Sequence, residues 1–154
     1  MVRDAKYRKG DVIYRQGEKA QEIFFVKYGS VDFYLDYKTP EEKRIGRADE
    51  GRVFGELGVI EDKPRSMTIV AAEETLVTVV DRESFPAYIQ KNPNKLVVVM
   101  ESLSSRIRAQ SRKLVTACRV VAEYAEEKET KGHVSKDLRE TMETLAKENR
   151  RYSG

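Results

Sequence analysis

Hydrophobic and polar residues alternate in the first half of the chain with a period of two, which is typical of half-buried β-strands. In SVDFYLDY (30–37), Val31, Phe33 and Leu35 occupy every second position. Denser apolar runs at 22–29 and 75–81 predict further strands. Glycines mark the turns between strands, at Gly10, Gly17, Gly29, Gly46, Gly51, Gly55 and Gly58. Many short strands without an intervening helix predict an antiparallel β-roll or sandwich.

After residue 81 the pattern has a helical period. RESFPAYIQKNP (82–93) predicts a short helix that stops near Pro93, and a long helix follows from Asn94. Apolar positions in the long helix alternate in steps of four and three, which is the heptad pattern of a helix that packs against a partner helix. These positions are Leu96, Met100, Leu103, Ile107, Leu114, Ala117, Val121 and Tyr124, with the polar Gln110 among them.

The long helix is predicted to end before Gly132. Residues 134–145 predict a second amphipathic helix, with Ser135 as its N-cap. We therefore predict two parts of the chain. Residues 1–92 form a mainly β domain of the jelly-roll type with a short helix, and residues 93–154 form the long helix and a second short helix.

The charge of the chain does not favour nucleic acid as a partner. Among 154 residues the net charge is +3, and acidic and basic residues are interspersed. No apolar run is long enough for a membrane span, and the first residues contain no apolar signal segment. The single cysteine, Cys118, cannot form a disulfide within the chain. We expect a cytoplasmic protein that has no membrane partner.

The inventory of reactive side chains argues against an enzyme. Catalysis needs a nucleophile with a base, a metal cluster or paired carboxylates. The chain has one histidine, His133, beside the predicted helix break. Cys118 lies in the long helix, where a small buried hydrophobic role is commoner than a reactive thiol. We predict no catalytic residues, no metal site and no cofactor.

The segment FGELGVIEDKPRSMT (54–68) instead has the features of an anion-binding loop. A helical turn that starts at Gly55, Glu56 and Leu57 would direct backbone N–H groups outward. Arg65 would reach the same anion with its planar fork, and Ser66 would add a hydroxyl donor. Glu56 would repel a phosphate but can accept a hydrogen bond from a sugar hydroxyl. A ribose cyclic phosphate carries both groups. The simpler alternative is a Glu56–Arg65 salt bridge on the surface of an ordinary loop.

The same segment resembles the phosphate-binding cassette of cyclic nucleotide-binding domains. These domains occur in catabolite-activator-type regulators, cyclic-nucleotide-dependent kinases and gated channels. F-G-E-L-G-V-I, a short spacer and P-R-S-M-T match together. The resemblance covers about residues 7–115, because GDVIYRQGEKAQEIFFVKYGSVDFYL is similar to the early strands of the family and RESFPAYIQKNP to its hinge helix.

The resemblance implies a role for each residue of the cassette. Glu56 would accept a hydrogen bond from the ribose 2′-hydroxyl. Arg65 and Ser66 would hold the exocyclic phosphate oxygens. The backbone of Gly55, Glu56 and Leu57 would line the sugar-phosphate. The ligand would then be cAMP or cGMP, bound without any further cofactor.

Residues outside the cassette would contact the base. Phe33 and Ile45 stand where the strands of the family approach it. Arg106, Gln110 and Ser111 fall in the long helix, at the register that reaches the base edge in activator-like members. Each of these five positions is also compatible with a solvated residue or a residue of the helical seam.

The chain departs from the activators after the long helix, where only about thirty residues follow. A helix-turn-helix unit does not fit there, so we expect no specific DNA binding. We predict a regulatory sensor, complete or cut from a longer protein, that binds cAMP in preference to cGMP. It would relay binding through its C-terminal helices as a homodimer formed by the long helix. One alternative is a roll without ligand binding that serves as a dimerisation or interaction module. For the long helix, the alternative is that it covers only its own roll.

Overall fold

The computed structural model describes residues 1–129, with side chains through residue 122. The predicted helix at 134–145 with its N-cap Ser135, the break at Gly132, and His133 lie outside the described residues. The elements in chain order are β1 (Val2–Tyr7), β2 (Val12–Tyr14), β3 (Glu22–Tyr28), β4 (Val31–Leu35), β5 (Lys43–Ala48), β6 (Val53–Phe54), α1 (Glu56–Glu61), β7 (Thr68–Ala71), β8 (Thr75–Asp81), α2 (Phe85–Lys91) and α3 (Pro93–Glu129).

The strands form two antiparallel sheets. One sheet has the strand order β1-β8-β3-β6, and the other has the order β2-β7-β4-β5. Consecutive strands such as β2 and β3, β3 and β4, or β7 and β8 lie in different sheets, so the chain passes repeatedly from one sheet to the other. This arrangement confirms the antiparallel β-roll with flanking helices that the period-two pattern predicted.

A single apolar cluster fills the roll. It draws on both sheets, because Phe24 and Val26 come from β3, whereas Val31 comes from β4 and Ile69 from β7. The rings of Phe24 and Phe54 stack with centroids 4.9 Å apart. Buried aromatic rings contribute large apolar areas to a core. The inward face of β4 therefore carries the alternating residues Val31 and Phe33.

The turn between β3 and β4 requires glycine at position 29. Its φ angle is +81°, and a Cβ atom there would lie 2.3 Å from the carbonyl oxygen of Glu74. A left-handed conformation is costly for residues with a side chain. Gly29 therefore allows the chain to leave one sheet and enter the other within a single tight turn.

Asp32 links β4 to β5 from the outer side of the roll. It is buried, and it accepts hydrogen bonds from Nε of Arg44 and Nε of Arg47, both at 2.8 Å. The hydrogen bond from Arg47 is the main cause that lowers the pKa of the Asp32 carboxyl, with Arg44 adding to it against the opposing effect of burial. The two arginines are about half exposed, so solvent weakens the pairing.

The helices follow the last strand. α2 carries Pro86 in its first turn, where the missing N–H has no helical partner to lose, and it stops before Pro93 as predicted. α3 starts at Pro93, one residue before the predicted start. The chain divides within α3 into two compact units, Met1–Ser102 and a second unit from Leu103 onward. The boundary between residues 92 and 93 that the sequence suggests for the two domains stays a prediction.

Replacing Asp32 by asparagine should lower the free energy of unfolding by about 1 kcal/mol near neutral pH, because two charge-assisted hydrogen bonds become neutral ones. The folded-state pKa of Asp32 lies below its ordinary value of 3.8. The contribution of the carboxylate is therefore full above that value and is lost as the pH falls through the folded-state pKa.

Urea unfolding of Asp32→Asn and the unmodified protein, near neutral pH and well below 3.8, measures this difference. The two proteins should become equally stable in acid. The exposed Glu50 serves as control, since Glu50→Gln should change stability little at either pH. A stability gap for Asp32→Asn that is the same at both pH values would contradict the assignment.

Candidate functional site

The candidate site is built at the turn between β6 and α1. Gly55 precedes α1 with a φ angle of +78°. A Cβ atom at this position would lie 2.8 Å from Nη1 of Arg65 and 3.1 Å from the ring of Phe24. Glycine therefore supplies a left-handed turn and also the space into which an arginine side chain fits. α1 ends at Glu61, with Asp62 as its C-cap, and the chain returns through Lys63, whose N–H donates to the carbonyl of Gly58 at 2.9 Å.

The backbone of Arg65 is bound to the loop between β2 and β3. Its N–H donates to the carbonyl of Glu18, and its carbonyl accepts from the N–H of Gly17, both at 2.8 Å. The side chain of Arg65 is bound as well. Nη1 donates to the carbonyl of Gly55 at 2.6 Å, and Nη2 donates to the carbonyl of Glu22 at 2.8 Å. Arg65 thus joins three separate segments of the roll.

Aromatic rings cover the guanidinium group. Its central carbon lies 4.1 Å from the ring centroid of Tyr14 and 5.6 Å from that of Phe24. A cation at such distances is attracted by the negative face of an aromatic ring. Within residues 1–129, Nε of Arg65 has no hydrogen-bond partner. The group is therefore held firmly, yet its Nε–H has no partner among the residues that the structure describes.

Glu56 and Arg65 both lie inside the roll. Glu56 is 0% exposed and Arg65 is 6% exposed. Desolvation lowers the pKa of the Arg65 guanidinium, whereas Tyr14, Glu22, Glu18 and Glu56 act in the opposite direction. The alternative of a surface salt bridge in an ordinary loop is therefore wrong, because both side chains are buried. The turn holds a carboxylate and a cation in an environment of low polarity, where an added anion would interact strongly with the cation.

The remaining cassette residues flank this pair. Leu57 is half-buried in the first turn of α1, and Ser66 is exposed directly after Arg65. The structure thus brings Gly55, Glu56 and Arg65 together, with Leu57 and Ser66 as their neighbours in the chain.

The two strand residues predicted near the base have different surroundings. Phe33 is half-buried and packs against the core, with its ring 6.4 Å from that of Phe54. Ile45 is exposed and lies at a register shift in β5, between Arg44 and Gly46, which pair with β4. A bulge of this kind redirects a side chain away from the regular pleat.

The sequence profile of the family described as "Cyclic nucleotide-binding domain" matches residues 5–92, which is more than half of the chain. The chain belongs to this family. The matched range contains the turn at Gly55, the buried Glu56 and Arg65, so the family membership inferred from the resemblance is confirmed. The chain therefore carries a cyclic nucleotide-binding domain of the regulatory type.

Relatives of this cyclic nucleotide-binding domain occur in kinase systems and in a bacterial regulator. A cAMP-dependent protein kinase regulatory subunit of Debaryomyces hansenii is 32% identical over 116 residues, which are 68% of this chain and 25% of the relative. A cGMP-dependent protein kinase of Toxoplasma gondii is 30% identical over 112 residues, 72% of this chain and 10% of the relative. The chain thus spans a quarter or less of these two curated relatives.

The fold is shared with a solved regulator structure. The crystal structure of the Thermus thermophilus catabolite activator protein superposes with a TM-score of 0.67 at 23% identity, covering 94% of this chain and 76% of that chain. At this identity the likeness shows the shared fold.

The long-helix residues assigned to the base belong to the second compact unit. Arg106 and Ser111 are half-buried, and Gln110 is exposed. Their contact with a nucleotide stays a prediction.

Two features of the cyclic nucleotide-binding domain did not follow from the sequence. Tyr14 stands in the short apolar segment VIY and was expected only as a strand residue. The carbonyl oxygen of Glu22 carries no signal at all, because every residue has one. The guanidinium of Arg65 lies between a ring and two carbonyls. This arrangement can be recognised only in the folded protein, because the groups come from β2, β3 and the cassette.

Two other kinds of functional feature are absent from the part of the chain that the structure describes. None of its helices has both the length and the apolar character that crossing a membrane requires. No group of three or more histidine, cysteine or acidic side chains suited to a metal ion occurs in residues 1–129 either.

Replacing Gly55 by alanine should destabilise the domain more than replacing Gly51, although both residues have nearly the same φ angle. The left-handed backbone costs a residue with a side chain about 1–2 kcal/mol in either variant. Only at Gly55 would Cβ meet Arg65, whereas Gly51 faces open space. Overpacking should add about 1–3 kcal/mol at Gly55.

Unfolding in urea gives both free energies, and their difference measures the close contacts that a Cβ at Gly55 would make with Arg65, Phe24 and Tyr14. Equal losses for Gly55→Ala and Gly51→Ala would show that the space at Gly55 has no structural role.

Proposed function

We propose that this cyclic nucleotide-binding domain binds cAMP in preference to cGMP and acts as a regulatory sensor, not as an enzyme. The observation that carries the proposal is the buried guanidinium of Arg65 beside the buried Glu56, with Nε of Arg65 unused by the described residues. A buried cation loses hydration that neutral acceptors replace only in part. A phosphate anion would supply the missing interaction.

The proposed roles of Arg65 and Glu56 follow from the chemistry of their side chains. Arg65, with Ser66 beside it, would donate to the exocyclic phosphate oxygens, because charge-assisted hydrogen bonds of this kind are strong. Glu56 would accept a hydrogen bond from the ribose 2′-hydroxyl. The backbone of Gly55, Glu56 and Leu57 would line the sugar-phosphate.

The choice of nucleotide is supported less directly. The Debaryomyces hansenii relative is named for cAMP and is the more identical of the two described above, which favours cAMP. The Toxoplasma gondii relative is named for cGMP, which makes cGMP the second choice. A hydroxyl such as that of Ser66 is compatible with either nucleotide.

The base would be contacted by residues from two regions. Phe33 and Ile45 are proposed from the strands, and Arg106, Gln110 and Ser111 from α3.

A sensor must also transmit the binding event. We propose that α2 and α3 relay it, and that the nucleotide binds one arrangement of these helices more tightly than another. A ligand with equal affinity for both arrangements would shift nothing, however tightly it binds. A cytoplasmic location and the absence of specific DNA binding stay predictions.

Cyclic AMP should raise the melting temperature of the purified protein, because a ligand that binds only the folded state adds stability by mass action, about 2.7 kcal/mol at a hundredfold excess over Kd. Linear AMP should have much less effect, since its phosphate is more highly charged and differently placed. Calorimetric titration with cAMP, cGMP and linear AMP measures the three affinities. If none of them binds, the domain is an interaction module without nucleotide binding.

Variants of Arg65 test the site itself. Arg65→Ala should weaken cAMP binding by about thirty-fold to a few thousand-fold, which corresponds to about 2–5 kcal/mol for truncating one side of a desolvated charge pair. Arg65→Lys keeps the charge but loses the planar fork and should be intermediate. Circular dichroism would verify that both variants fold. Unchanged affinity in a folded Arg65→Ala protein would refute the assignment.

We also propose that α3 forms a homodimer. Its apolar stripe includes Met100, Ile107, Leu114 and Val121, all of which are exposed. An exposed apolar stripe along a helix favours association. A symmetric dimer would cover the same stripe in both copies, and Gln110 within the stripe would fix the register. The alternative is that α3 serves only its own chain.

Replacing Ile107 and Leu114 together by lysine should give a soluble monomer, because four like charges would meet in the proposed seam of a dimer. The matched control places lysines at Ser105 and Thr116, which are exposed and, at 100° per residue, point away from the stripe. The control adds the same charge and should stay dimeric. Sedimentation velocity at tens of micromolar protein distinguishes the two states. A monomeric unmodified protein, with and without cAMP, would contradict the dimer.

A further inference from the structure

We infer that Tyr14 is a positioning residue for the cyclic nucleotide site, because its ring face holds the guanidinium of Arg65 while leaving the donors in the plane of that group untouched. The effect on nucleotide affinity rests on the proposed function. The effect on Arg65 itself does not, since it exists in the ligand-free protein.

The ring of Tyr14 is itself fixed by the core. Its centroid lies 5.6 Å from that of Phe24 and 6.2 Å from that of Phe54, with tilts of 39° and 37°. Phe24 and Phe54 are in turn stacked and buried. A ring packed in this way offers Arg65 a surface that does not move with solvent.

The strand that carries Tyr14 is irregular at this point. Val12 pairs with Val70, but Tyr14 pairs with Ile69, so one extra residue stands in β2 between the two pairs. Such a bulge re-aims the side chain that follows it. The irregularity thus allows Tyr14 to join the aromatic cluster and to face Arg65.

Stacking and hydrogen bonding occupy different parts of the guanidinium. The ring centroid of Tyr14 lies 4.1 Å from the central carbon of the guanidinium. Gly55 and Glu22 accept from the two Nη atoms, and Nε retains its N–H. An aliphatic side chain at position 14 would fill space but would lack the electrostatic attraction of a ring face. Tyr14 therefore stabilises a charged and ordered Arg65, so that a ligand does not have to order it on binding.

The test compares Tyr14→Phe, which keeps the ring face, with Tyr14→Leu, which keeps only apolar packing. The first measurement is the NMR signal of the Arg65 Nε–H group in the ligand-free protein, assigned by its absence in Arg65→Lys. We expect a protected signal in the unmodified protein and in Tyr14→Phe, and fast exchange with water in Tyr14→Leu. The second measurement is cAMP affinity by calorimetry, which should fall by roughly five- to thirty-fold in Tyr14→Leu and hardly at all in Tyr14→Phe.

Phe25→Leu is the control for a general loss of aromatic packing. Phe25 is buried in the same strand as Phe24 but packs against Tyr88 of α2, with centroids 5.5 Å apart. Phe25→Leu should lower the free energy of unfolding without changing the NMR signal of the Arg65 Nε–H group. If Tyr14→Leu does not fold, Tyr14→Met repeats the comparison with a more adaptable apolar side chain.

The outcomes separate this inference from the proposed function. A protected Arg65 signal together with unchanged cAMP affinity in Tyr14→Leu would overturn the positioning role. Loss of protection in Tyr14→Phe as well would overturn the role of the ring face and assign it to the hydroxyl. If the unmodified protein binds no cyclic nucleotide, the proposed function fails, and the exchange of the Arg65 signal still decides whether Tyr14 holds that side chain.

Discussion

A guanidinium group that is taken out of water must exchange its hydration for fixed partners, and this requirement organises the cassette. Arg65 meets it with two neutral carbonyl oxygens and two ring faces. The carbonyl of Gly55 belongs to the left-handed turn before α1, and the carbonyl of Glu22 belongs to the start of β3. The position of the arginine therefore depends on the turn, the strand and the aromatic core at once, and each of these is constrained by the others.

Asp32 and Arg65 are two of the buried charged residues of the roll, and their charges are accommodated in different ways. Asp32 is surrounded by Arg44 and Arg47, so its charge is neutralised on the spot. Arg65 places its Nη hydrogen bonds on uncharged oxygens, which offset part of the desolvation, and the buried Glu56 lies beside it. The first arrangement suits a cross-link between two strands. The second suits the anionic phosphate of the proposed ligand.

The alternation and the denser apolar runs were sufficient to predict β3, β4 and β8, and the side chains of β4 that alternate in the sequence, such as Val31 and Phe33, do face the core. The helix boundaries near Pro93 also followed, since proline acts locally on the backbone. The cassette could be located because F-G-E-L-G-V-I and P-R-S-M-T together resemble the phosphate-binding cassette of the family. The burial of Glu56 and Arg65 could not be predicted from the sequence, because burial depends on how the two sheets close over the turn. Nor could the role of Tyr14, since cation–ring contacts join residues that are distant in sequence and have no pattern of their own.

The backbone ladder between Arg65 and the loop at Gly17 and Glu18 bears on how such a site can be moved or redesigned. Two of the acceptors that fix the arginine, the carbonyls of Glu18 and Glu22, belong to residues that precede Arg65 by more than forty positions along the chain. A grafted cassette inserted into another scaffold would carry its charge but leave behind the carbonyls and the ring that make the charge tolerable. The unit to be transplanted therefore includes at least the segment from β2 through β7, and the cassette alone is not a portable module.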